Sequence, residues 1–189
     1  MHIAIDFGTC NSSAALMVDG NLRLVKEPTR QGYSFLSSIY MEELDKILVG
    51  QLAESNKFKD ITRYRKEFKR DLLQKTPYIL GQNGEYELTP QKLVTEVLRS
   101  FKQEAEKITL ALDKGEINDV VVTVPATYLK NKRDAMERAA LDAGFSSVGL
   151  IEEPVAAATY YSDLNPASFQ EEDIILVYDL GGGTFDETL

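Results

Sequence analysis

Two stretches of the chain place the same residue types in the same order. "IAIDFGTCN" spans residues 3–11 and "LVYDLGGGTFD" spans residues 176–186. In each, an aspartate (Asp6, Asp179) ends an apolar run, glycine follows, and a threonine (Thr9, Thr184) stands just beyond. Glycines let backbone N–H groups approach phosphate oxygens closely, hydroxyls add donors, and an aspartate can face a phosphate-bound magnesium. The pair reads as two loops that grip a polyphosphate from two sides. The first alone is equally compatible with a plain turn. Gly181, Gly182 and Gly183 in succession weaken any strand or helix, and they are hard to account for unless a ligand lies against the backbone.

Composition bounds what else the chain can do. Its 189 residues, 43% of them hydrophobic, suffice for one well-formed core with room for an inserted lobe. Against 21 basic residues stand 30 acidic ones, a formal charge of -9. That balance repels phosphate backbones and anionic membranes at long range, so no nucleic acid is expected as a partner, and any anion must be held locally. A single cysteine, Cys10, and a single histidine, His2, exclude an internal disulfide, a cysteine zinc cluster and histidine-based triads, and suggest a reducing compartment. The opening MHIAIDFGT carries an acid where a secretory signal would be apolar, and no apolar stretch has membrane length. The expectation is a cytoplasmic chain with no membrane partner.

Loops of this kind need strands to hold them. HIAIDFG, SSAALMV and LRLVKE, the last two joined by Asp19-Gly20, predict a meander of three antiparallel strands. Residues 31–88 mix short apolar pieces, polar connectors and a basic segment, with turn signals at Gly81 and Asn83-Gly84, and read as a small inserted α+β subdomain. Thr89-Pro90 starts a long amphipathic helix whose apolar positions Leu93, Val97, Phe101, Ala105, Ile108 and Leu112 recur at helical spacing, with Gly115 as its expected stop. DVVVTVP, SVGLIEEP and IILVYDLGGG, separated by helical segments, predict parallel strands buried on both faces. The sum is an α/β fold of the ribonuclease H-like kind: a mixed five-stranded sheet with helices on both faces, its core about residues 1–30 and 89–189.

The pair DFGT and DLGGGTFD, with VVVTVPATY at 120–128, KNKRDAMERAALDAG from Lys130 and IEEPVAAATYY from Ile151, resembles the seventy-kilodalton heat-shock protein family, the DnaK-type chaperones. The resemblance runs over essentially the whole chain and is weakest between Gln31 and Leu88. It implies an actin-like ATPase fold, of which this chain would be the first lobe, with ATP/ADP and magnesium as cofactors. Asp6 and Asp179 would hold the hydrated magnesium. Gly8, Thr9, Cys10 and Asn11 would form the first phosphate loop, Gly181, Gly182, Gly183 and Thr184 the second, and Asp186 would face the site. Lys69, in EFKRDL, would orient the attacking water, with Lys66 as its rival in the same basic run. Glu153 would touch the magnesium water shell, unless it merely favours the first turn of the following helix. Pro125 and Arg133 would form a relay to a substrate-binding domain.

The resemblance further implies an ATPase that couples hydrolysis to protein folding, working with unfolded client peptides, a J-domain co-chaperone and a nucleotide-exchange factor. On that reading the second lobe and the peptide-binding domain are absent, and the fragment alone is inactive with weak or undetectable nucleotide affinity. Two departures matter. Cys10 and Asn11 stand where the family usually has threonine and then tyrosine, which replaces a hydroxyl donor by a weak thiol and raises the alternative of a nucleotide-sensing module with little turnover. "IEEP" replaces the commoner Asn-Glu-Pro, a feature shared with actin-like filament ATPases of the MreB type, the other alternative.

Overall fold

A computed structural model describes residues 1–165, 173–181 and 185–188. The chain opens with β1 (His2–Phe7), β2 (Asn11–Val18) and β3 (Asn21–Leu24), paired antiparallel in sequence order. Asp19 and Gly20, both at positive φ (51° and 75°), make the tight turn between β2 and β3. The apolar side chains of β1 alternate inward, with Ile3, Ile5 and Phe7 buried, so the odd positions face the core and Asp6 faces away from it.

Segment 31–88 contributes first to this sheet and then leaves it. β4 (Phe35–Leu36) pairs with the start of β2. β5 (Ser38–Glu43), β6 (Lys46–Val49) and β7 (Tyr64–Lys66) form a separate antiparallel sheet, with the short helix α1 (Gln51–Asn56) between β6 and β7. β8 (Tyr78–Leu80) and β9 (Tyr86–Leu88) make a hairpin whose turn contains Gly81 and Gly84, both at positive φ. Phe35, Ile39, Met41, Phe68, Leu72 and Leu80 of this segment share one continuous apolar core with β1 and β2.

Helix α2 (Pro90–Ala111) begins where sequence places it. The Thr89 side chain accepts from the Lys92 N–H, and Pro90 occupies the first turn, where its missing donor costs nothing. Leu93, Val97, Phe101 and Ala105 are fully buried, Ile108 is partly so, and Leu112 lies outside the helix. The stop is earlier than Gly115. Asp113 takes the left-handed conformation (φ 54°), and the N–H groups of Asp113 and Lys114 return to the carbonyls of Leu110 and Thr109 at 3.1 and 2.8 Å, a Schellman closure built on aspartate.

β10 (Asp119–Val124) then pairs parallel with β1, and β11 (Ser147–Glu152) parallel with β10. Between them α3 (Lys130–Asp142) packs against α2 and ends at Gly144 (φ 101°) in a second Schellman closure, with Phe145 buried beyond it. α4 (Glu153–Leu164) follows β11 directly and contacts β10 and β11, yet buries none of its residues.

Among the described residues the principal sheet has six strands, ordered β11-β10-β1-β2-β3 with β4 added beside β2, where five were expected. The two-residue β4 is too short to leave a periodic signal. The expected third parallel strand is also corrected. In IILVYDLGGG only Val177–Leu180 (β12) is strand, and among the described residues it pairs antiparallel with β13 (Phe185–Thr188) and with no strand of the principal sheet. Burial on both faces fails too: Val121, in the middle of β10, is 40% exposed, because the face opposite α2 and α3 is only partly covered.

Candidate functional site

The end of β1, the loop after it, the turn before β8, the end of β10 and the start of α4 converge on one cavity of about 450 Å³. Asp6, Gly8, Thr9, Cys10, Asn11, Lys69, Pro125, Glu153, Asp179 and Gly181 all line it. Sequence separated these residues by up to 175 positions (181 − 6), and the fold brings them to one place.

Asp6 is aimed from below. The Thr123 hydroxyl, one register step up β10, donates to Asp6 Oδ1 at 2.9 Å and accepts the Phe7 N–H at 3.1 Å. The carboxylate is thereby fixed at the strand end instead of swinging freely in solvent. The loop 8–11 turns so tightly that a Cβ on Gly8 would lie 2.1 Å from the Asn11 carbonyl oxygen, which only glycine permits.

Lys69 reaches the cavity from a turn anchored by two buried neighbours, Phe68 and Leu72. The turn is entered through Glu67 at φ 63°, an unusual conformation for a residue with a Cβ. The Lys69 side chain is only 5% exposed, and its ammonium donates to the Phe7 carbonyl and, at 2.7 Å, to Glu153 Oε1. Two of its three N–H donors are thus taken, and one is left for a group in the cavity. Lys66, the rival in sequence, has a side chain 63% exposed and pairs with Glu67 outside the cavity.

Glu153 is the first residue of α4, so it does stand in a first turn, but its side chain crosses to Lys69. Burial raises its pKa, the Lys69 charge pulls it down less strongly, and the nearby charges of Asp6 and Asp179 push it up further. Three carboxylates (Asp6, Glu153 and Asp179) and three cationic side chains (Lys69, Arg70 and Lys132) line the cavity, so it can hold both an anion and a cation. Among the described residues no three acidic, histidine or cysteine side chains stand close enough to cage a metal directly. Asp6 and Asp179 both line the cavity and offer the hard carboxylate oxygens that a hydrated divalent cation takes.

Arg133 does not line the cavity. Its guanidinium donates to the Tyr128 carbonyl at 2.8 Å and to Glu152 Oε1 at 2.6 Å, whereas Pro125 lines the cavity itself. Gly182, Gly183 and Thr184 lie outside the described residues. The backbone of Asp186 pairs with that of Asp179 across the β12–β13 hairpin, and its side chain also lies outside the described residues.

Sequence reasoning missed several contributors. Thr123 sits unremarked among valines, although its register beside β1 could have drawn notice. Tyr128 also lines the cavity, and its hydroxyl donates to the Lys69 carbonyl at 3.2 Å; burial, with the Glu153 charge adding, pushes its pKa up to about 12, so it remains a donor. Lys132 brings a further cation to the wall, 4.9 Å from the Tyr128 ring centre.

Residues 72–189, well over half of the chain, match the family model described as Hsp70 protein. The chain belongs to the Hsp70 family. Consistent with this, the Hsp70 relatives it resembles include the Chaperone protein DnaK of Methanothermobacter thermautotrophicus, 33% identical over 99% of this chain and 30% of the relative. The Chaperone protein DnaK of Thermotoga maritima is 35% identical over the same shares, and the Chaperone protein HscA homolog of Colwellia psychrerythraea is 33% identical over 96% of this chain and 31% of its own length. This Hsp70 chain thus spans about 30% of the length of the curated relatives it matches. The mixed α/β architecture agrees with the actin-like ATPase fold that Hsp70 membership implies.

Proposed function

We propose that this cavity is the phosphate half of a nucleotide site, and that the chain is the first lobe of the ATPase domain of a DnaK-type chaperone, with segment 31–88 as an inserted subdomain. The observation that carries the reading is Lys69: a nearly buried lysine held at 2.7 Å by Glu153, facing a glycine-turned loop and two further carboxylates, Asp6 and Asp179. Phosphoryl transfer is catalysed chiefly by positioning and by electrostatic stabilisation, and these residues are suited to both.

Each side chain then has a task. Loop 8–11, with Gly181, Gly182, Gly183 and Thr184, would offer donors to the phosphates, and Asp6 and Asp179, together with Asp186, would hold the water shell of magnesium. Magnesium would neutralise charge on the phosphates. Lys69 orients the attacking water with its remaining N–H, and Glu153 fixes the Lys69 ammonium in place. Pro125 and Arg133 pass the state of the site onward, Arg133 through Glu152 beside Glu153. In the whole protein the cycle of ATP and ADP would act on unfolded client peptides, with a J-domain co-chaperone and a nucleotide-exchange factor, in the cytoplasm.

Calorimetric titration of magnesium-ATP and of magnesium-tripolyphosphate into this chain tests the reading. Weak binding of both is expected, dependent on magnesium and abolished by Asp6→Asn and by Lys69→Ala. Absence of binding at millimolar ligand, or binding indifferent to both substitutions, would overturn it.

A further inference from the structure

Beneath the first loop lies a pair of serines that the reactions above do not use. Ser12 and Ser37 are each only 2% exposed, and their hydroxyl oxygens are 2.8 Å apart. The Gly8 N–H donates to Ser12 Oγ at 3.1 Å, and Ser37 Oγ donates to the Gly8 carbonyl at 2.7 Å.

Proton counting fixes the direction of the middle bond. A carbonyl can only accept, so the single Ser37 proton is committed to Gly8. Ser12 must therefore donate to Ser37. The result is a closed ring running from the Gly8 N–H through Ser12 and Ser37 to the Gly8 carbonyl, in which each bond polarises the next. The Ser37 N–H also donates to the Cys10 carbonyl at 2.8 Å, so one residue holds the loop at two points. Ser12 belongs to β2, whereas Ser37 lies between β4 and β5, where segment 31–88 leaves the principal sheet.

We infer that Ser12 and Ser37 are positioning residues of the polyphosphate site: their hydrogen-bonded ring fixes both peptide groups of Gly8 and so presets the direction of the N–H groups that follow in loop 8–11. The inference rests on the proposed phosphate reading of the cavity. It also makes Ser37 the point through which a displacement of segment 31–88 would reach the loop.

The test uses Ser12→Ala, Ser37→Ala and the double substitution, with two readouts: hydrogen exchange of the Gly8 amide by NMR, and the affinity for magnesium-tripolyphosphate. Ser37→Ala should speed exchange of the Gly8 amide although that amide is not bonded to Ser37, because the ring opens. Each single substitution should weaken tripolyphosphate binding on the order of tenfold, the loss of about one net hydrogen bond, and the double no further, since a ring breaks once. A merely structural role would lower the melting temperature and leave both readouts of the folded protein unchanged, which would overturn the inference, as would additive losses. Should Ser37→Ala fail to fold, Ser37→Cys, with its weaker donor, should give intermediate exchange and affinity, and wild-type values would refute the ring. If the wild type binds no tripolyphosphate, the proposed function falls and the positioning role with it. Gly8 exchange would then still decide whether the ring exists.

Discussion

β1 lies between β2 and β10, with Ile3, Ile5 and Phe7 at most 1% exposed. β12 carries the matching aspartate, but among the described residues its one strand partner is β13, and its Tyr178 is 60% exposed. The two stretches share a pattern of apolar run, aspartate and glycine, and both aspartates face the same cavity. What differs is the support. Asp6 is held by Thr123 from the neighbouring strand and its loop by two buried serines, whereas Asp179 stands on a two-stranded hairpin beside α4. A motif therefore specifies which groups meet a ligand, and the neighbouring strands specify how firmly they are held.

The sharpest way to break this contrast is Gly8→Ala. The new Cβ would lie 2.1 Å from a backbone oxygen, which no side-chain rotation relieves, and a cost of about 3 kcal/mol is expected together with loss of magnesium-tripolyphosphate binding. Urea unfolding and calorimetry measure the two parts separately.

Lys69→Met comes next, at about 2–3 kcal/mol by urea unfolding at neutral pH, because Glu153 is left without its cation in a site only 18% exposed. This variant also acquires a distinctive pH profile. Folding already raises the Glu153 pKa above the ordinary 4.5, and removing Lys69 deletes the main influence that lowers it. The folded state then holds the proton more tightly than the unfolded state. Stability should be greatest below about 4.5 and fall as pH rises through the raised folded value. Adding Glu153→Gln should flatten the profile.

Thr123→Val keeps the shape of the side chain but leaves the Phe7 N–H unsatisfied and Asp6 unsupported. A loss of about 1–2 kcal/mol in thermal unfolding is expected, with weakened magnesium dependence of binding. The smallest effect belongs to the other strand: Tyr178→Thr, at an exposed position of β12, should change stability by less than about 0.5 kcal/mol. A loss comparable to that of Thr123→Val would show that β12 is supported as firmly as β1.

The legible parts of the molecule were those governed by local rules. Thr89-Pro90 marked the start of α2, Asp19-Gly20 the first hairpin, and the first glycine-threonine stretch a loop that lines the cavity. The end of α2 was misread because aspartate can adopt the left-handed conformation that glycine adopts more readily, and Asp113 precedes Gly115. β12 was misassigned because an apolar run of β-branched residues states that a strand can form and does not name its partner. Ser12, Ser37 and Thr123 were invisible for a related reason. Their importance lies in oxygen positions fixed by pairing across 25 to 117 residues, and no spacing in the sequence encodes that.

The parallel pairing of β1 with β10 has a consequence for the order of events during synthesis. His2 emerges well before its register partner on β10, Asp119, which lies 117 residues later (119 − 2). At about 5–20 residues per second, β1 waits roughly 6–23 s for that neighbour. During the wait β2 and β3 can already pair with it through short turns, leaving the other edge of β1 open to any passing strand. The edge that later carries Asp6 to its threonine is thus, for those seconds, a part of the newborn chain in need of shelter.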